Sequence, residues 1–261
     1  MNSTVCNANF FNNGYEEFVK NDKFLNMCIE TQKNLSDNKD IFYKIYDYNN
    51  EIVKEAKNKL EDYLNQIKID FFEGDYVVKE VNEDDRLSLT VFVDTIKFYI
   101  QSKEKNTIFL DNDIFIYNKK DFLDSTLNKI VINKSLLDTE ISSNSDNLKF
   151  FKEIFEFRVR NKIVRENFDD LSLIKEMNKE FKIESKVQGF IHFSKYNKRL
   201  KNLIIVKDYE DLKKVFSLKE KKFNIIILLN NKIKIPNKFK FLDFNKCDDF
   251  AKNKISSFFN L

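Results

Sequence analysis

The residues of this chain best suited to chemistry are two carboxylates one residue apart, in Leu110-Asp111-Asn112-Asp113. They follow the apolar run Thr107-Ile108-Phe109-Leu110 and precede Ile114-Phe115-Ile116-Tyr117. At the end of a buried strand, such a pair can hold a divalent cation directly or through water. Hard cations take oxygen ligands and share them readily with phosphates. The same triplet is also good turn chemistry, so a plain hairpin turn between two apolar strands is the competing reading.

His192 is the single histidine of the chain, in Ile191-His192-Phe193-Ser194, and Lys198 lies six residues on. A lone histidine after an apolar run is more often structural than functional. Yet a neutral imidazole is a good ligand for manganese, and a nearby ammonium is a good partner for a diphosphate. Asp111, Asp113, His192 and Lys198 together contain both halves of a metal–diphosphate site.

The elements that must position these residues follow from hydrophobic spacing. Val5 to Phe11 reads as a first strand, Tyr15 to Leu35 as a helix and Ile41 to Tyr46 as a second strand. Ile52, Ala56, Leu60, Leu64 and Ile67 mark one face of an amphipathic helix, and Ile69 to Phe72 reads as a further strand. Asp85 to Lys103 is helical by its Leu89, Phe92, Ile96 and Tyr99 stripe, and Thr107 to Leu110 is the strand that ends at Asp111. The Ser- and Asn-rich stretch Ile141 to Asn147 reads as a loop or lid, and Phe150 to Glu180 as a helix. Such strand–helix alternation predicts a mostly parallel sheet flanked by helices. Ligands bind beyond the carboxyl ends of such strands, which is where Asp111 falls.

The last sixty or so residues repeat the alternation. Leu203 to Val206 and Phe223 to Leu229 read as strands around a helix from Asp208 to Glu220. A strand at Phe239 to Phe244 and a helix from Cys247 to Phe259 follow. The division expected is a main α/β domain over 1–200 and a small basic α/β extension over 201–261.

Composition narrows the classes. At 261 residues, 42% hydrophobic and 15% aromatic, the chain can bury a sizeable core and is not a disordered one. Three Gly and one Pro exclude a Gly-rich phosphate loop almost by count. Cys6, Cys28 and Cys247 show no Cys-x-x-Cys spacing, which favours free thiols in a reducing compartment over a zinc site. No apolar run approaches the ~20 residues of a membrane span, and Met1-Asn2-Ser3-Thr4 lacks a signal peptide's basic head. A cytoplasmic protein is expected.

Net charge is +3, unevenly placed: Lys186 to Leu261 carries 18 Lys/Arg against seven Asp/Glu, which leaves the remainder at −8. The basic part fits an anionic partner, either an acidic membrane leaflet touched peripherally or a bound diphosphate. Nucleic acid is the less favoured partner, and a solvated Lys-rich surface accounts for the same count.

Phe109-Leu110-Asp111-Asn112-Asp113-Ile114-Phe115-Ile116 resembles the Tyr-Leu-Asp-x-Asp signature of GT-A glycosyltransferases. His192-Phe193 with Lys198 is similar to the C-terminal His-Phe-x-Gly-x-x-Lys-Pro-Trp of glycosyltransferase family eight, the glycogenin-like and lipopolysaccharide galactosyltransferase-like enzymes. Val93-Asp94-Thr95-Ile96-Lys97-Phe98-Tyr99 resembles the Asp-x-x-Arg-Tyr helix of capsular sugar transferases, with Lys97 where Arg is usual. The resemblance implies a GT-A-like fold and a metal-dependent hexosyltransferase. Its donor would be a nucleoside diphosphate sugar, UDP-sugar favoured, and its acceptor a glycan or lipid-linked sugar. It implies that Asp111, Asp113 and His192 hold Mn2+ (or Mg2+) and that Lys198 meets the diphosphate. Asp94, Lys97 and, less directly, Arg86 would face the donor sugar or phosphate, with Asn112 in the motif between them. Asn7 and Asn9 would lie near the base. Lys195 replaces the motif's Gly, and Arg199-Leu200 replace its Pro-Trp, so the phosphate turn differs from the family's.

Two rivals follow from the same residues. A haloacid-dehalogenase-type phosphatase also uses a strand-end Asp-x-Asp, but near its start and followed by a small residue. Asp169-Asp170 and Asp248-Asp249 are the further carboxylates such an enzyme would draw on. A non-catalytic nucleotide- or sugar-binding module is the other.

Overall fold

The protein is described by a computed structural model covering residues 3–9, 22–47, 49–60, 69–72, 75–78, 93–132, 141–143, 148–161, 176–177, 179–184, 186–192, 202–217, 224–236 and 241–261. It is a mixed α/β protein organised around its first strand, β1 (Ser3–Asn9). Val5, Cys6 and Asn7 are consecutive and all buried, as expected of a strand covered on both faces. β2 (Ile41–Asp47) pairs with β1 in parallel along its whole length, from Ser3 opposite Ile41 to Asn9 opposite Asp47. β5 (Thr107–Leu110), buried at every residue, pairs in parallel on the other side, with Cys6 opposite Phe109. The chain thus leaves β1 for β2 on one flank and returns to β5 on the other. That reversal opens a crevice beyond the carboxyl ends of β1 and β5.

The helices begin where side chains take over the first free N–H groups. α1 (Lys23–Lys33) is capped by Asp22, whose carboxylate accepts from the N–H groups of Phe24 and Leu25. The expected Tyr15–Leu35 helix is therefore corrected at its start: Asp22 is extended, and the helix begins after it. Residues 10–21 lie outside the described ones. α2 (Glu51–Lys59) is capped by Asn50 and buries Val53 and Ala56. α3 (93–101) buries Ile96, Phe98, Tyr99 and Ile100 in the same core as α5 (Leu148–Arg160).

Three further expectations are revised. Beyond β5 the sheet is mixed. Its order is β2-β1-β5-β8-β7-β9, with β8 (Ile141–Ser143) antiparallel to both β5 and β7 (Ile130–Ile132), and β9 (Ile183–Glu184) parallel to β7. The start of the supposed lid, Ile141-Ser142-Ser143, is thus a strand inside the sheet, because ladder bonds on both edges outweigh serine's modest strand preference. Residues 144–147 lie outside the described ones. Finally, β3 (Ile69–Phe72) stands apart from the main sheet and pairs antiparallel with β4 (Asp75–Val78).

Past the Asp-Asn-Asp segment, β6 (Ile114–Ile116) pairs antiparallel with β10 (Phe190–His192) in a separate two-stranded sheet. Gly189 admits β10 to this position. Its carbonyl accepts from the N–H groups of Tyr117 and Asn118, at 2.8 and 3.0 Å, just before α4 (Lys119–Thr126). Its φ of +76° is one that side chains disfavour.

The C-terminal part forms a parallel sheet, β11 (Asn202–Val206), β12 (Asn224–Leu228) and β13 (Leu242–Asp243), with α6 (Tyr209–Phe216) crossing between the first two. α6 gives it a core of its own, with Val206, Leu212, Val215 and Ile226 in one cluster, and a second cluster ties it to the rest of the chain. α7 (Asp249–Phe259) places Ala251 and Ile255 in one apolar cluster with Phe24, Leu25 and Cys28 of α1, Phe115 of β6 and Ile227 of β12. Asp248 joins the parts. Its carboxylate caps α7 at Ala251 and accepts from the N–H of Lys119, while its own N–H donates to the Tyr117 carbonyl. No helix among the described residues is long and apolar enough to cross a membrane.

Two outcomes follow. A methyl group at Gly189 would lie 2.3 Å from the Asn118 carbonyl oxygen and 2.6 Å from the Phe122 nitrogen, both backbone. Gly189→Ala should therefore lose roughly 2–4 kcal/mol in urea unfolding. The thiols of Cys6, Cys28 and Cys247 are all buried, and burial pushes each pKa up, that of Cys247 to about 12. In native protein at pH 8 an aromatic disulfide reagent should label none of them within minutes, and unfolding should release all three.

Candidate metal site

β5 stops at Leu110, and the chain turns at once: the Ile114 N–H donates to the Asp111 carbonyl at 3.1 Å. The triplet is a turn, as its composition allows, but not a hairpin. β5 belongs to the six-stranded sheet and β6 to another. The antiparallel register of β6 with β10 sets His192 opposite Ile114, next to Asp113. His192 Nε2 lies 3.0 Å from Asp113 Oδ1, with the side chains 11% and 17% exposed. Asp111, Asp113 and His192 each present a ligand atom, all within 4.8 Å of one another. Residues 79 positions apart thus meet.

The cluster borders a recess of about 330 Å3 at the carboxyl ends of β1 and β5, lined by Ala8, Leu25, Leu110, Asp111, Asn112 and Asp113. Two carboxylates and one imidazole make a mixed oxygen–nitrogen set. Such a set could hold a divalent cation.

Charge at the cluster is balanced from behind. Lys97 of α3 reaches Asp111 Oδ1 at 2.9 Å and Asp94 Oδ1 at 3.2 Å. Burial alone would lower the Lys97 pKa, but Asp111 and Asp94 more than offset this and the net direction is up, so it stays an ammonium. The Asp111 carboxyl is raised, first by desolvation, which Lys97 opposes, and then by Asp113 and Asp94. Lys97 and Asp94 are only 5% and 4% exposed. The donor-facing role expected of this pair is therefore corrected: they form an ion pair behind Asp111, since an ammonium so enclosed is stable only against carboxylates.

Asn7 is likewise corrected. It is fully buried; its amide donates to the Leu110 carbonyl and to Gln32 Oε1, both at 2.8 Å, and accepts from the Tyr43 hydroxyl. It ties the ends of β1 and β5 together and does not face the recess. Asn9 ends β1 opposite Asp47, and its side chain is outside the described set. Asn112 lines the recess as expected. Arg86, Lys198, Asp169 and Asp170 lie outside the described residues. Asp248, one of the carboxylates a phosphatase would draw on, is engaged in capping two helices.

Two residues of α1 went unnoticed in the sequence. Gln32 Nε2 donates to the carbonyls of Asp111 and Ile114, at 2.9 and 2.7 Å, bridging both ends of the turn. Thr31 Oγ1 accepts from the Ile116 N–H at 3.0 Å. The signal was present: Gln32 continues the apolar stripe of Leu25, Cys28 and Leu35, and a polar residue on a buried stripe must have partners.

No protein-family model matches the chain, and no curated protein matches it.

Lys97→Met should destabilise the protein by about 2–4 kcal/mol at pH 7, since it strands the buried Asp94 carboxylate and unpairs the partly exposed Asp111. Asp111, whose carboxyl burial already raises, would lose the ammonium that opposes that rise. The variant should therefore regain stability as pH falls, and the gap to wild type in urea unfolding should narrow between pH 7 and pH 5.

Proposed function

We propose that this protein is a metal-dependent glycosyltransferase of GT-A-like fold. It would move a hexose from a nucleoside diphosphate sugar, with a UDP-sugar favoured, to a glycan or lipid-linked acceptor. The observation that carries this reading is the meeting of Asp111, Asp113 and His192 at the carboxyl ends of β1 and β5.

The acceptor hydroxyl oxygen replaces the diphosphate oxygen on the anomeric carbon, releasing nucleoside diphosphate and a proton. A bound Mn2+ (or Mg2+) would supply positive charge to the departing diphosphate. Asp113, in the turn before β6, and His192 of β10 would hold that ion, with Asp111, steadied by Lys97, completing the set. Asn112 and Ala8 border the space open to the donor. Exposed Lys207, Lys232, Lys234 and Lys246 keep the C-terminal part basic, which supports an acceptor presented at an anionic surface.

Thermal unfolding with nucleotides tests the reading. UDP together with Mn2+ should raise the melting temperature, neither alone should match it, and Asp113→Ala should abolish the shift. An equal shift without metal, or in Asp113→Ala, would sink the proposal, as would hydrolysis of a simple phosphate ester with no nucleotide response.

A further inference from the structure

Resting on that reading of the cluster as a divalent-cation site, we infer that Gln32 is its positioning residue. Gln32 holds the Asp111–Ile114 turn in the one shape that presents Asp111, Asp113 and His192 to a single ion, and so sets the affinity for it.

The geometry is specific. One amide nitrogen touches the backbone at both ends of the turn, the Asp111 and Ile114 carbonyls. Asp111 carries the first carboxylate of the cluster. Ile114 is the residue registered with His192, so its placement also sets where the imidazole stands relative to Asp113. Gln32 therefore acts on all three ligands through the backbone, without presenting a group to the ion.

Gln32 is itself fixed. It is fully buried, and its Oε1 accepts from Asn7, whose amide also holds the Leu110 carbonyl and accepts from Tyr43. Tyr43, Asn7 and Gln32 thus form a polar chain from β2 through β1 to the turn. Each link orients the next amide, so the nitrogen of Gln32 faces the two carbonyls. Removing it takes the buried donor from the Ile114 carbonyl and leaves the Asp111 carbonyl with the Ile114 N–H alone, so the tie between the two ends of the turn is lost. Groups behind metal ligands typically change affinity about 10–100-fold when lost, because ligand spacing tolerates little error.

The test is Mn2+ binding, read from the free-Mn2+ electron paramagnetic resonance signal well below each variant's melting temperature. Gln32→Met keeps the shape and removes the donors; its Kd for Mn2+ should rise about tenfold or more. Thr31→Val is the matched control. It deletes a bond from the same helix to the same following strand, at Ile116, outside the turn. It should lower the melting temperature comparably while keeping the Kd within about twofold of wild type.

Wild-type affinity in Gln32→Met, or an equal loss in Thr31→Val, would overturn the inference and leave the metal site standing. No Mn2+ binding by the wild-type protein would overturn both. Should Gln32→Met fail to fold, Tyr43→Phe loosens the chain at its half-buried outer end. It should weaken Mn2+ binding about two- to threefold, and an unchanged Kd there would also overturn the inference.

Discussion

Everything at the candidate site depends on how two buried carbonyl groups are satisfied. A strand that leaves its sheet forfeits ladder partners, and a buried acceptor without a donor costs on the order of 1–3 kcal/mol. β5 leaves its sheet at Leu110, and the chain enters a different sheet at Ile114. The Asp111 and Ile114 carbonyls bracket that transfer, and Gln32 donates to both. The Asp111 carbonyl also takes the Ile114 N–H, so the turn closes without β6 folding back onto β5. The side-chain amide from α1 lets β6 continue away and pair with β10 instead, and only that pairing delivers His192.

The transfer concentrates negative charge, and Lys97 compensates part of it from behind. Asp94, Asp111 and Asp113 converge, with Lys97 placed behind Asp111 and away from Asp113. The ammonium neutralises the rear of the group. On the recess side, Asp113 stands against an imidazole that can be a neutral ligand as well as a charged partner.

The site was more legible in the sequence than the fold around it. Asp111, Asp113 and His192 could be named because their chemistry is rare in a chain with one histidine. The spacing of apolar residues located β1, β2 and β5 to within a residue or two. What spacing does not encode is partner choice. Ile114-Phe115-Ile116 reads the same whether it pairs with β5 or with β10, and Ile141-Ser142-Ser143 reads as a loop because ladder bonds, not side chains, make it a strand. Asn7 and Lys97 were correctly singled out but misplaced in role. A polar residue beside a ligand site looks alike in sequence whether it faces the ligand or steadies a neighbour, and only burial separates the two.

That distinction changes how the C-terminal part should be regarded. By sequence it is an appendage marked out by positive charge, yet its last helix packs into the cluster that holds Phe115 of β6, with Ile191 of β10 packed against it. Asp248 pins the start of that helix to Tyr117 and Lys119, immediately beyond β6. Gly189 feeds β10 onto the same two-residue stretch, where Tyr117 and Asn118 donate to its carbonyl. The small β6–β10 sheet has only two strands, too few to be stable alone. It is held by the Thr31 and Gln32 bonds from α1 and by the apolar cluster that α1 and α7 share with Phe115. The imidazole and the second carboxylate are therefore brought together by the C-terminal segment as much as by the main sheet. A chain lacking that segment would keep Asp111 and Asp113 in sequence but lose the surface that holds His192 against them.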